Sequence, residues 1–162
     1  MAVSIREIAP EEVATAVEIA LAAWAPLHIW KREMMGDEMY ECFNPDWRAE
    51  KAQQVRAACA PGAAMALVAE VDGRIAGFVT CHVSEAGGWA EIGNNAVHPG
   101  FQGRGIGTAM YDEVFRRLRE RGIRFVKVST GGDPFHARAR RAYEKAGFKV
   151  ALPNVTHYRE LD

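Results

Sequence analysis

Cysteine is scarce in this chain, and its three copies, Cys42, Cys59 and Cys81, are far apart and odd in number. They form no CxxC pair, which argues against a disulfide framework or a thiolate metal site and points to a reducing, cytoplasmic setting. None of the five histidines pairs at zinc spacing, so no metal is expected. No uninterrupted apolar run reaches the length of a bilayer span, and the opening Met1-Ala-Val-Ser-Ile-Arg lacks a signal-peptide pattern, so no membrane partner is expected. The basic stretches have no interleaved aromatics, which argues against nucleic acid. No linker, repeat or low-complexity tract divides the 162 residues, and residues 1–162 read as one domain with a full core.

Net charge is near zero, but its distribution is uneven. Residues 1–81 carry 7 Lys/Arg against 12 Asp/Glu, whereas residues 82–162 carry 13 against 9. Such asymmetry bears on ligands rather than on fold. It suggests an anionic ligand on the C-terminal half and a cationic one near the N-terminal half; solvated surface charge is the simpler alternative.

Apolar periodicity and turn residues predict the element order β-α-α-β-β-β-α-β-α-β-β, a mixed α/β sheet with helices on its faces. Residues 4–8 read as a strand. Pro10-Glu11-Glu12 opens a helix expected to end before Pro26, followed by an irregular segment to Asn44. Pro45-Asp46 starts a helix ending near Cys59. Strands over 63–71 and 74–83 flank Asp72-Gly73, a hairpin signal. A strand over 89–97 leads to a helix over 105–121, whose Ile106, Met110, Val114 and Leu118 form one stripe. A strand over 123–130, a helix over 136–146 closed by Gly147, and final strands over 148–151 and 156–161 complete the prediction.

The most informative stretch runs from Glu91 to Gly107. A strand ends at His98-Pro99, and a turn holding Gly103, Gly105 and Gly107 opens a helix. Glycines let bare backbone N–H groups face a ligand, and a helix N-terminus adds unpaired donors and partial positive charge. Together they form a seat for phosphate. A P-loop would place Gly-Lys-Ser/Thr at the turn's end, but Ile106 follows Gly105. A dinucleotide fingerprint also fails, because no third glycine falls in register.

What fits is Gln/Arg-x-x-Gly-x-Gly/Ala, as Gln102-Gly103-Arg104-Gly105-Ile106-Gly107. With Val97 before Pro99, and Tyr143-Glu144-Lys145-Ala146-Gly147-Phe148 downstream, the chain resembles the GNAT superfamily of N-acetyltransferases. The resemblance covers nearly the whole chain. It implies the family's fold, a central, mostly antiparallel sheet flanked by helices, and acetyl-coenzyme A as donor. By that analogy Asn95, Ala96 and Val97 line the pantetheine arm like an added strand. Gly103 to Thr108 wrap the pyrophosphate, with Gln102, Gly105, Ile106 and Gly107 in the motif, and Arg104 either contacts phosphate or is a solvated arginine.

Acetyl transfer to an amine requires deprotonation of the amine, a donor for the tetrahedral oxyanion, and a proton or hydrogen bond for the leaving thiolate. The resemblance places Tyr143 at the thiolate and the Val97 backbone N–H at the oxyanion. It also makes Glu91, 11 residues before Gln102, the candidate base, directly or through water. Period-two alternation would put Glu91 on one face with Gly93, Asn95 and Val97. An exposed strand glutamate is the alternative. His136 stands where many members carry asparagine, seven residues before Tyr143, and either caps the helix or contacts the pantetheine arm.

The same resemblance implies an acceptor pocket beside the first two helices and their connection, with Trp24, His28 and Trp30 as candidate substrate contacts. Aromatics interspersed with Asp37, Glu38, Glu41 and Asp46 suit a cation with an apolar portion. A small-molecule amine is favoured, a peptide amine is the alternative, and a homodimer is left open. A non-catalytic acyl-coenzyme A binding module is the rival of another class.

Overall fold

The computed structural model describes residues 2–161. Five strands form one sheet in the order β1 (Val3–Glu7), β2 (Met65–Val71), β3 (Arg74–Ser84), β4 (Trp89–Val97) and β5 (Phe125–Val128). The first four are antiparallel neighbours, and β5 runs parallel to β4. Asp72 and Gly73 join β2 to β3 with φ of 50° and 75°, the left-handed pair that a tight hairpin needs.

One face of the sheet is covered by α1 (Val13–Met35) and α3 (Trp47–Ala58), the other by α4 (Ile106–Glu120). Ile106, Met110, Val114 and Leu118 are all buried on α4, as their spacing predicts, and meet Val79, Cys81, Ala90 and Ile92. Ala16, Val17, Ile19 and Ala20 of α1 pack with Ala52 and Val55 of α3 over Val68, Phe78 and Ala96.

Three expectations fail. The first helix does not stop before Pro26; it continues to Met35 with Pro26 inside it. Proline removes one i→i−4 hydrogen bond, here to the Ala22 carbonyl, but a helix anchored by packing on both sides of the gap survives that loss. Ala16 to Ala20 before it and Leu27 after it are buried. By length and composition this helix, over Pro10–Met35, is long and apolar enough to cross a membrane, with an 18-residue window of mean hydropathy 1.4, although Glu18 keeps it from being an uninterrupted apolar run. Second, the irregular segment is mostly helical, with α2 (Asp37–Phe43) following Gly36 at φ 76°. Third, residues 148–151 and 156–161 form no strands, and Val150, Leu152, Val155 and Leu161 are exposed. Pro153 interrupts this tail, and proline cannot donate to a ladder. The last helix is α5 (Ala137–Lys145).

Candidate active site

The site begins at an irregularity in β4. Val79 pairs with Asn95 and Cys81 with Ile92, so Thr80 alone opposes both Gly93 and Asn94. This bulge releases two backbone carbonyls from the ladder, and side chains recover them. The buried Thr80 Oγ1 donates to the Asn94 carbonyl at 3.2 Å, and Asn95 Nδ2 donates to the Gly93 carbonyl at 3.2 Å.

The bulge also changes parity. Ile92 faces α4, and after the extra residue so does Asn95, which contacts Tyr111 of α4 and Tyr143 of α5. Asn94 instead meets Lys51 on α3. Glu91 therefore does not share a face with Asn95 and Val97; it lies on the α1/α3 side, ion-paired with Lys127 of β5 at 3.0 Å. An inserted residue flips every later side chain of a strand, which unbroken alternation cannot anticipate.

Beyond Ile92 and Val128 the two parallel strands no longer pair. The edge of β4 from Gly93 to Val97 is left without a strand on that side, and a cavity of about 820 Å³ opens there. Gly93, Asn95, Ala96 and Val97 form one wall. The glycine turn and the start of α4 form another, through Gln102, Gly103, Gly105, Ile106, Gly107 and Thr108. Gly103 and Gly105 have φ of 79° and 77°, conformations that L side chains adopt only under strain, and a Cβ on either, or on helical Gly107, would point into open space. The first N–H groups of α4 lack intrahelical partners and face an uncrowded surface. Gln102 Nε2 ties the turn to the Val97 carbonyl at 3.1 Å. Backbone donors, a helix N-terminus and an open strand edge fit a pyrophosphate with an amide-bearing arm.

A chain of polar contacts ends at the cavity. Tyr111 Oη donates to Asn95 Oδ1 at 2.9 Å, and Asn95 Nδ2 lies 3.4 Å from Tyr143 Oη as its donor. Burial raises the Tyr111 phenol well above the ordinary tyrosine range, with Tyr143 adding to the effect, so it acts here as a neutral donor. The Tyr143 oxygen accepts from Asn95, which leaves its own O–H available to a third group.

Other expected residues are placed differently. Arg104 lies outside the cavity lining, with Nη2 donating to the Gly100 carbonyl at 3.3 Å and its guanidinium over the Phe101 ring. His136 does line the cavity, held by Asp133, whose carboxylate accepts from the His136 backbone N–H and contacts Nδ1 at 2.5 Å. Trp24 lines the cavity, whereas His28 and Trp30 do not. His28 is stacked on Trp47 with centroids 4.0 Å apart, and its Nδ1 meets Tyr40 Oη at 3.0 Å, so it binds α1, α2 and α3 together. Trp30 packs against Phe135, itself a cavity residue. Arg138, Arg141 and Lys145 of α5 line the cavity and were not singled out from sequence. Their i, i+3, i+7 spacing carries the signal, because it puts three cations on one helix face.

Three of the four acids singled out in the connection have partners elsewhere. Asp46 Oδ1 accepts from the Ala49 N–H as the cap of α3. Asp37 and Glu41 both pair with Arg32 at the exposed surface. Burial and then Lys31, Lys51 and Arg48 push the His28 pKa down to about 4. The charged groups acting on His28 are thus cations, although residues 1–81 carry a net negative charge.

Residues 32–148 match the model of the acetyltransferase (GNAT) family. The chain belongs to that family. An uncharacterised N-acetyltransferase of Methanocaldococcus jannaschii is 36% identical over 87 residues, 51% of this chain and 38% of that protein. A mycothiol acetyltransferase of Sanguibacter keddieii is 37% identical over 101 residues, 59% of this chain and 31% of that protein. The chain thus spans well under half the length of these curated relatives. Among solved structures, the PaiA N-acetyltransferase of Thermoplasma acidophilum in complex with coenzyme A superposes with a TM-score of 0.73 at 20% identity, covering 93% of this chain and 92% of that one. The GNAT fold predicted from the motifs is the fold observed.

Proposed function

We propose that this GNAT chain transfers acetyl from acetyl-coenzyme A to a primary amine of a small molecule, by direct attack within a ternary complex. The observation that carries this reading is the convergence of three features on one cavity: the open edge of β4, the glycine turn at the N-terminus of α4, and the Tyr143 hydroxyl. The pyrophosphate rests on the backbone of Gly103 to Thr108. Arg138, Arg141 and Lys145 supply positive charge to the phosphates. The pantetheine arm extends along Asn95 to Val97 as an added strand.

The neutral amine attacks the thioester carbon, and the carbonyl electrons move to oxygen. The tetrahedral intermediate then collapses, the C–S bond breaks, and the thiolate takes the proton of Tyr143. Asn95 positions that proton, because its amide donates to the phenolic oxygen and leaves the O–H to point elsewhere. The amine's surplus proton leaves through water to Glu91, which does not itself line the cavity. Tyr143 regains a proton from solvent.

The test pairs binding with turnover. Acetyl-coenzyme A binding is followed by titration calorimetry, and thiol release is followed across a panel of small amines and short peptides. Gly105→Glu places a carboxylate on the phosphate seat at a positive φ, and the expected loss of donor affinity is well over tenfold, about 1.4 kcal/mol per decade. Unchanged affinity in that variant removes the phosphate site. Tight donor binding with no thiol release from any amine leaves a binding module instead of an enzyme, and release only with peptides moves the acceptor to a peptide amine.

A further inference from the structure

Lys51 is a half-buried cation beside the proposed transfer centre, and its partners are neutral. Its ammonium donates to Gln54 Oε1 at 2.9 Å and to Asn94 Oδ1 at 3.2 Å, and it sits 4.4 Å from the centre of the Trp24 ring. An ammonium has three donors, so one remains. Among the described residues no carboxylate forms an ion pair with it. A charge withdrawn from water without a counter-ion is costly, and burial followed by Lys31 lowers the Lys51 pKa.

The position of this cation is specific. Trp24 lines the cavity, and Asn94 lies in the bulge between Gly93 and Asn95, which also line it. Asn94 projects to the α1/α3 side of β4, opposite the face on which Asn95 holds Tyr143. Lys51 thus stands across β4 from the thiol-protonating group, on the side left for the acceptor. Lys31 and Arg48 add positive charge on this side, and Asp37 and Glu41 of α2 are paired with Arg32.

We propose that the acceptor amine also bears a carboxylate, that Lys51 binds this carboxylate, and that the apolar body of the acceptor rests on Trp24. This rests on the transferase reading above and narrows it to small amino acids with an apolar portion. A polycationic amine meets three cations at the same place. A carboxylate instead completes the third donor of Lys51 and supplies the missing counter-charge.

The experiment measures kcat/KM for apolar L-amino acids and their carboxamides at saturating acetyl-coenzyme A, in the wild type, Lys51→Met and Lys51→Arg, with folding checked by thermal melting. The free acids are expected to exceed their carboxamides by at least tenfold. Lys51→Met should raise KM for the acids by at least tenfold, leave donor affinity unchanged and leave the carboxamides within about twofold; Lys51→Arg should restore the preference. Carboxamides or polyamines used as well as the acids, or an equal loss for both series in Lys51→Met, overturns the proposal while amine transfer stands. A parallel calorimetric titration of N-acetyl-L-phenylalanine and its carboxamide into the coenzyme A complex reads the same preference without turnover. Binding of the acid that is at least tenfold tighter and lost in Lys51→Met supports the carboxylate site even where no amine is acetylated; equal binding of the two probes overturns it.

Discussion

Tyr143→Phe separates catalysis from packing at this site because the two roles differ in size. Tyr143 is 7% exposed, and its ring packs on Tyr111 and Phe148, contacts that phenylalanine keeps. The polar contacts removed are the 3.4 Å hydrogen bond from Asn95, long enough to be weak, and the hydroxyl's interaction with Tyr111. The net worth of each to stability is about 0.5–1.5 kcal/mol at most. Loss of the acid that protonates the thiolate instead costs about 10²–10⁴-fold in rate, or about 2.7–5.5 kcal/mol of barrier at about 1.36 kcal/mol per decade. The expected result is a large fall in single-turnover rate, with acetyl-coenzyme A affinity nearly unchanged and a small shift in melting temperature. Tyr111→Phe is the comparator. It removes the donor to Asn95 Oδ1 and leaves a half-buried acceptor unsatisfied, at about 1–3 kcal/mol of stability, yet keeps the Tyr143 proton. Its rate should fall much less. A Tyr143→Phe enzyme within about threefold of wild type, with chemistry shown to be rate-limiting, refutes the role and leaves Tyr143 as a core aromatic.

Further expectations follow from single residues. Glu91→Gln should lose a rate that returns as pH rises and free amine becomes abundant; an equal loss at every pH would assign Glu91 to positioning, and no loss would leave it as the partner of Lys127. His28 is held at about 4 in the folded chain against an ordinary value of 6.5, so the unfolded chain binds its proton first as pH falls. The stability tied to neutral His28 is complete above pH 6.5 and is lost as pH drops towards 4, by on the order of 1 kcal/mol for a half-buried group. Denaturant melts of wild type and His28→Phe across that window should differ in slope, and parallel curves would contradict the shift. Gly77→Ala would set a Cβ 2.8 Å from the Ala96 carbonyl, so β4 must move; the expected cost is about 1–3 kcal/mol, read as a lower melting temperature together with weaker acetyl-coenzyme A binding. Unchanged melting would mean that the strand yields freely.

The motifs around Gly103 to Gly107 and Tyr143 were sufficient to place the family and the glycine turn at the start of α4, because those positions depend on local backbone needs. Gly103 and Gly105 occupy left-handed conformations that the glycine spacing itself announces. The α4 stripe and the Asp72-Gly73 hairpin were legible for the same reason: period and turn chemistry are local properties. The course of the first helix through Pro26 was not legible, since burial of Leu27 and of the preceding turns outweighs one missing hydrogen bond. Nor was the β4 bulge, because a strand's alternation carries no mark of an extra residue until Thr80 on the neighbouring strand faces two partners. That one insertion decides that Asn95 reaches Tyr143 while Glu91 and Asn94 face the other side. Which charges gather around Trp24 and His28 was likewise a tertiary matter. Net charge in sequence counts every acid alike, whereas the fold pairs Asp37 and Glu41 with Arg32 at the surface and leaves Lys51 with neutral partners against Trp24.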